Sequence, residues 1–253
     1  MSGLDGRWLA TFVPVAVLLA LWHVAVVTSG SLIFPTPWQV VVGLVDLARQ
    51  GLLLKHVVAS LFRVTYGYLL AAALAIPVGM LTGRFATAHA LLNPLVQGLR
   101  PISPIAWIPL AILWFGVGDL SPIFLIFLSS FFPMVVGTAA GVMTIDRKLI
   151  RAASNFEFTG FQLFRSVVLP AALPQIVTGM RIGLGVAWLV VVAAEMIAVN
   201  SGLGYLIIDS RNAGNRYDLV VAGMVAIGVI GFLLDTLMRK LERLDEVRWR
   251  YET

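Results

Sequence analysis

The chain has no cysteine in its 253 residues. That excludes disulfides, cysteine-ligated zinc and iron–sulfur clusters. Charge is nearly as scarce. Asp, Glu, Lys and Arg together make 12% of the residues, where soluble domains carry roughly a quarter. His23, His56 and His89 are scattered without ligand spacing, so no metal site is expected. No Walker-type phosphate loop occurs: the nearest stretch, GMLTGRF from Gly79 to Phe85, lacks the lysine. There is no nucleophile elbow and no HExxH. The chain therefore has no device for cradling ATP and no recognisable hydrolytic machinery. Nor is there an internal repeat, which argues against a carrier built from inverted halves. What remains is apolar: 59% hydrophobic residues and a mean hydropathy of +0.93. The sequence is that of an all-α integral membrane protein. Its net charge of +5 reads as cytoplasmic loops rather than as a nucleic-acid surface.

Residues 8–28 form an apolar run long enough to span a bilayer and too long for a signal peptide. At 34–52, Pro35 and Pro37 forbid a continuous helix, and Thr36 is placed to cap a new one with Pro37 in its first turn. Trp38, Val41, Val42, Val45 and Ala48 then share a face, as expected of a helix lying in the outer interface. Val57 to Leu81 is a second span. Ala71, Ala72, Ala73, Ala75 and Gly79 allow close packing in it, and Arg63 either snorkels outward or faces a pore. Ala86 to Phe115 is interrupted by Pro94, Pro101, Pro104 and Pro109, which no straight helix tolerates. Such backbone survives at membrane depth only against protein or a watery cavity, so it is expected to line a path. Pro122–Met143, Gln175–Val199 and Leu219–Met238 complete six spans. Asn200 to Tyr217 is a polar external segment. Trp8, Trp38, Tyr205 and Tyr217 read as interface anchors. Arg7, Arg84, Arg147, Lys148, Arg151, Arg165, Arg239, Lys240, Arg243, Arg248 and Arg250 fall on one side, which places both termini in the cytoplasm.

The stretch from Asp146 to Pro174 interrupts the apolar second half of the chain. Leu149, Ala152, Ala153 and Phe156 recur at helical spacing, followed by Phe161, Phe164 and Val168. Pro170 is expected to end that pattern. A short helix, a turn at Thr159–Gly160 and a second helix returning to the membrane follow. A mere reversal of the chain needs only a handful of residues, so a long loop with an apolar face is expected to dock something.

In this stretch the chain resembles the cytoplasmic coupling loop of binding-protein-dependent ABC transporter permeases. That motif runs Glu-Ala-Ala, three residues, Gly, then about a dozen residues to Leu-Pro. With Leu169-Pro170 fixing the register, Arg151-Ala152-Ala153 occupies the Glu-Ala-Ala position and Glu157 the glycine position. Both alanines match. Arg151 and Glu157 depart from the pattern, which leaves the turn geometry open, with Gly160 as an alternative turn residue. LRPISPIAWIPLAILWFGVGD (Leu99–Asp119) and GLGVAWLVVVAAEM (Gly183–Met196) are similar to the nitrate/sulfonate/taurine/bicarbonate branch, and the likeness runs from about Phe34 to about Arg243.

The resemblance implies a single transmembrane domain over 1–253 with the six-helix, type I importer (MetI-like) permease fold. It comprises a first helix at 8–28, an external interfacial helix at 34–52 and a core at 57–243 with a coupling loop at 146–171. It implies a non-catalytic subunit in the cell inner membrane. ATP and Mg would be bound by a cytoplasmic ABC ATPase dimer, an external substrate-binding protein would deliver the substrate, and a second permease copy would complete the path. Arg147, Lys148, Arg151, Ala152, Ala153, Phe156, Glu157 and Gly160 are the candidates for coupling to the ATPase. Arg100, Pro101, Ser103, Pro104, Arg181 and Glu195 are candidates for the path. Guanidinium groups suit nitrate, bicarbonate or sulfonate oxygens, but each arginine could equally pair with a carboxylate, and Glu195 could cap the external segment. The rival functions are an anion channel or secondary carrier, which has no need of the long internal loop, and a non-transporting structural subunit, which has no need of the broken span.

Overall fold

The computed structural model describes residues 5–30 and 33–242 and is helical, with no strand among the described residues. The elements run α1 (Asp5–Ser29), α2 (Pro37–Arg49), α3 (Leu52–Arg84), α4 (Ala86–Leu99), a 3-10 turn (Pro104–Trp107) and α5 (Ile108–Phe115). They continue through α6 (Leu120–Met143), α7 (Arg147–Asn155), α8 (Gly160–Leu163), a π-helical turn (Phe164–Val168), α9 (Leu169–Ala198), α10 (Leu203–Asn212) and α11 (Tyr217–Glu242). Arg243, Arg248 and Arg250 lie outside the described residues.

Among the described residues, four helices are long and apolar enough to cross a membrane: α3, α6, α11 and the continuous stretch Gly160–Ala198. The proline-rich segment is a bent pair, α4 against Pro104–Phe115, turned by 84°. The bend follows from residue chemistry. Pro101 and Pro104 withdraw two amide donors within four positions, and Ser103, before Pro104, is held out of helical geometry at ψ 128°.

Three helices make the core. The most extensive contacts run between α3 and α6 and between α6 and α9. Glycines permit the approach: a Cβ on Gly79 would sit 2.5 Å from the Thr138 Cβ, and one on Gly137 would sit 2.8 Å from the Gly179 Cα. Lipid tails are as apolar as leucine, so close van der Waals packing rather than hydrophobic exclusion holds such helices together. Ala71, Ala72 and Ala75 are buried in this core as their size suggests, while Ala73 is exposed.

Thr36 caps α2 as expected. Its hydroxyl accepts from the Gln39 amide, and the Gln39 side chain accepts from the Thr36 amide at 2.7 Å, a complete capping box. The face Trp38, Val41, Val42, Val45 points away from the bundle, and Val40, Gly43 and Leu47 turn inward. Gly43 lies against Asp218 and Leu219 at the start of α11. α1 stands apart: Val15, Leu18, Leu21 and Val24 are all exposed, and Trp22 reaches the core.

Two expectations are corrected. Pro170 does not end the return helix. The Leu169 amide bonds five residues back to the Phe164 carbonyl, and this wider turn directly precedes the proline. A proline leaves the carbonyl four residues back without a donor and crowds it with its ring; a π turn relieves both by shifting the register. The helix therefore continues to Ala198. The segment expected as a polar external loop contains α10, whose Leu203 and Leu206 are buried against the bundle.

Candidate functional site

α7 is built to present one face and bury the other. Asp146 caps it, accepting from the Lys148 amide at 2.8 Å. At about 100° per residue, Leu149, Ala152 and Phe156 share one face, and Ile150 lies opposite. That second face packs inward: Ile150 joins a cluster of Met80, Val142 and Ile176 from the ends of α3, α6 and α9, with Ile145 just after α6 and Val168 from the π turn. Ala153 turns the same way and is buried, so it leaves the outward face on which the sequence pattern put it with Ala152 and Phe156. The reason is its position at the boundary of the two faces, one turn after Ile150. Phe156 remains 77% exposed and Phe161 74%. Arg147, Lys148, Arg151 and Glu157 are exposed beside them.

The turn after α7 resolves the motif's departures. Glu157 has φ 62°. Its amide bonds to the Ser154 carbonyl at 3.0 Å, and the Phe158 amide bonds to the Ala153 carbonyl at 3.0 Å. That pair of bonds is a Schellman motif with Glu157 at the left-handed position, which usually belongs to glycine. Gly160 is left-handed as well, at φ 52°. The chain thus keeps the backbone of a glycine turn while displaying a carboxylate there.

Halfway along the bundle lies a cavity of about 380 Å³ bordered by the broken span, α6 and α9. Arg100 and Pro104 line it, together with Ser129, Phe132, Gln175 and Thr178. Pro101 and Ser103 sit in the same bend and are exposed, outside the lining. The Arg100 guanidinium has no ion pair and no side-chain hydrogen bond among the described residues. Arg181 and Glu195 also fall outside the lining. Arg181 donates to Asp235 at 2.9 Å and to Glu242 at 3.0 Å, tying α9 to α11.

Glu195 belongs to a network at the α10 end. Arg63, 2% exposed, donates to Glu195, 0% exposed, at 2.7 Å, and to Asp119, 58% exposed, at 2.7 Å. It also donates to the Ser201 carbonyl at 2.8 Å. Glu195 accepts in addition from Ser60 at 2.8 Å and from the Gly204 amide at 3.0 Å, and His56 accepts from the Gly202 amide at 3.0 Å. Arg63 therefore neither snorkels nor faces a pore. It joins α3 to the α9–α10 corner and to the start of α6. Sequence reading missed this assembly. A mid-span arginine signals a partner, but sequence spacing does not choose among Asp119, Asp209 and Glu195. On α10 itself, Tyr205 donates to Asp209 at 3.3 Å, and that neighbouring carboxylate raises the phenol's pKa.

Residues 75–244 match the family described as binding-protein-dependent transport system inner membrane component. The putative aliphatic sulfonates transport permease protein of Bacillus subtilis is 38% identical, covering 96% of this chain and 88% of its own length. The taurine transport system permease protein of Escherichia coli is 39% identical, covering 90% and 85% respectively. Among solved structures, an inward-facing conformation of the MetNI methionine ABC transporter matches with a TM-score of 0.66 at 19% identity. It covers 76% of this chain and 95% of its own, which is a likeness of fold.

Proposed function

The chain belongs to the family of binding-protein-dependent transport system inner membrane components, and on that premise we propose that it is the membrane-spanning subunit of an ABC importer for a small oxyanion. Its single transmembrane domain crosses the cell inner membrane six times, α1 adding a crossing to the four long spans and the bent pair. Both termini and the α7 loop face the cytoplasm. A separate ATPase dimer binds ATP and Mg and receives α7. An external binding protein delivers the substrate, and a second permease copy completes the path.

One observation carries this reading: α7 packs its inner face, through Ile150, onto the apolar cluster at the π turn and the nearby helix ends yet leaves Phe156 uncovered. An aromatic anchor with charged residues around it is how interfaces concentrate binding energy. A push at that anchor reaches the return helix through the π turn that α7 contacts. For the path, the support is Arg100. Of the arginines within the spans, Arg63 and Arg181 are neutralised by carboxylates, whereas Arg100 borders the cavity without one among the described residues. An intramembrane cation in that state favours an anionic ligand. Arg181 and Glu195 we assign to holding the bundle.

Single-cysteine labelling tests the orientation cleanly because the chain has no cysteine of its own. Ser154→Cys is expected to react only from the cytoplasm and Asn212→Cys only from outside. Labelling of Ser154→Cys from outside would overturn the proposal, since α7 could not then meet an ATPase.

A further inference from the structure

Where α3 gives way to α4, a groove of about 770 Å³ opens toward the π turn. Ile76, Met80 and Leu81 of α3 line one side, and Phe161, Phe164 and Val168 of the return segment line the other. Phe161 and Phe164 stack with 6.3 Å between ring centroids. No Asp, Glu, Ser, Thr, Asn or Gln is among the described residues that line the groove. The charge in that lining is Arg84, exposed at the last residue of α3. Its guanidinium lies over the Phe85 ring, 5.7 Å from the centroid. Arg165 follows Phe164 in the π turn and is exposed as well. Neither arginine has an ion pair among the described residues.

Depth in the bilayer narrows what can fill this groove. α3 has 33 residues, about 50 Å at 1.5 Å per residue, against a hydrocarbon core of about 30 Å. Its apolar run stops at Leu81, so Arg84 falls one turn later, at headgroup level, with the apolar walls beneath it. An extended peptide laid between these walls would find no side-chain partner for its backbone groups. A hydrocarbon chain has no such groups to satisfy. An acyl tail therefore matches the walls, and a phosphate matches the Arg84 guanidinium, whose planar donors suit its oxygens. Basic pockets between spanning helices take anionic headgroups on the same grounds. Met80 and Val168 also belong to the cluster on which Ile150 packs, so a lipid in the groove braces the seat of α7.

We propose that the groove is a binding site for an anionic phospholipid, with its phosphate on Arg84 and a tail between Leu81 and Phe164. The site itself stands apart from the importer reading. Only the leaflet it serves rests on that reading, and labelling of Ser154→Cys decides that separately.

The test uses the full-length protein, purified in detergent and freed of lipid, with bound lipid counted by native mass spectrometry. The probes are phosphatidylglycerol and phosphatidylcholine with identical tails. Phosphatidylglycerol is expected to bind about tenfold more tightly, the worth of one charge-assisted hydrogen bond. Arg84→Gln is expected to bring it down to the phosphatidylcholine level at an unchanged melting temperature, because Arg84 is exposed. Arg84→Lys is expected to keep most of the preference. Arg49→Gln, which removes an exposed cation at the other end of the bundle, is expected to change nothing. Leu81→Asn is expected to weaken both lipids, since it puts an amide against the tail. Equal binding of the two lipids, or phosphatidylglycerol binding unchanged in Arg84→Gln, would overturn the proposal. So would full binding by Leu81→Asn, because the tail would then lie elsewhere. Leu81→Cys, reacted with a maleimide, identifies a protein occupant. Shielding of that thiol in the lipid-free protein would mean that a second copy fills the groove. Shielding only in complex with co-expressed ATPase would mean that the ATPase does. Either result overturns the lipid site.

Discussion

Arg63 and Glu195 form a buried ion pair in which neither partner can be lost alone. Removing the arginine leaves a fully buried carboxylate, and breaking such a pair costs about 3–5 kcal/mol. Arg63→Ala is therefore expected to lower the melting temperature sharply and to reduce the yield of folded protein. Asp119→Asn removes the exposed partner, and exposed pairs contribute about 1 kcal/mol or less, so its melting temperature is expected to stay close to that of the parent. Equal losses in the two variants would contradict the assigned burial. Gly202 belongs to the same corner. A Cβ there would sit 2.2 Å from the Glu195 carboxylate carbon, and its φ is 104°, so this glycine is required on both counts. The opposite case is Glu157, a non-glycine held left-handed. Relief of that conformation is worth about 1 kcal/mol, and Glu157→Gly is expected to raise thermal stability. If ATPase binding falls at the same time, the carboxylate itself makes a contact.

The two alanines of α7 separate packing from docking at the scale of the element. Ala153 is buried and Ala152 exposed. Ala153→Asp places a charge against the helix ends beneath and is expected to reduce folded yield. Ala152→Asp is expected to leave the melting temperature alone and weaken ATPase co-purification. The reverse pattern would mean that α7 sits with its other face outward. Much of this element was legible beforehand: its existence, the loop around it, and the outward positions of Ala152 and Phe156. The inward turn of Ala153 was not, because a helical wheel fixes relative angles but not which sector meets the bundle. The run through Pro170 was hidden for a related reason. Proline marks a lost hydrogen bond, whereas a π turn that absorbs the loss leaves no compositional trace. α10 did leave a trace, with Leu203, Leu206 and Ile207 at helical spacing, but Gly, Asn and Asp around them outweighed it.

For the whole molecule, the sequence is most informative where physics is least permissive. Long apolar runs, a proline-broken span and a basic loop leave few arrangements in a bilayer, and four long apolar helices and the bent proline-rich pair fall where those signals put them. Partner choice among side chains is different. Arg63, Arg100 and Arg181 look alike in sequence, and only three-dimensional packing pairs two of them and leaves the third at a cavity. The core then behaves as one body. Gly79 on α3 touches α6, and α6 touches α9 through Gly137 and Gly179. Gly79→Ala is expected to cost about 1–3 kcal/mol by overpacking, seen as a lower melting temperature with no change in topology. α7 contacts the π turn that leads into α9, and its Ile150 packs on the cluster at the helix ends, which gives its exposed face a route to the core. The measurement that bears on this most directly is ATPase capture by Phe156→Ala. Phe156 has almost no contact with its own chain, so the variant is expected to insert and melt as the parent does. Truncating a buried anchor typically costs about 2 kcal/mol or more, so ATPase affinity is expected to fall roughly thirtyfold, with a matching loss of substrate-stimulated ATP hydrolysis. Full ATPase binding and full uptake by Phe156→Ala would contradict the account, because α7 would then not be the element that couples this subunit to ATP.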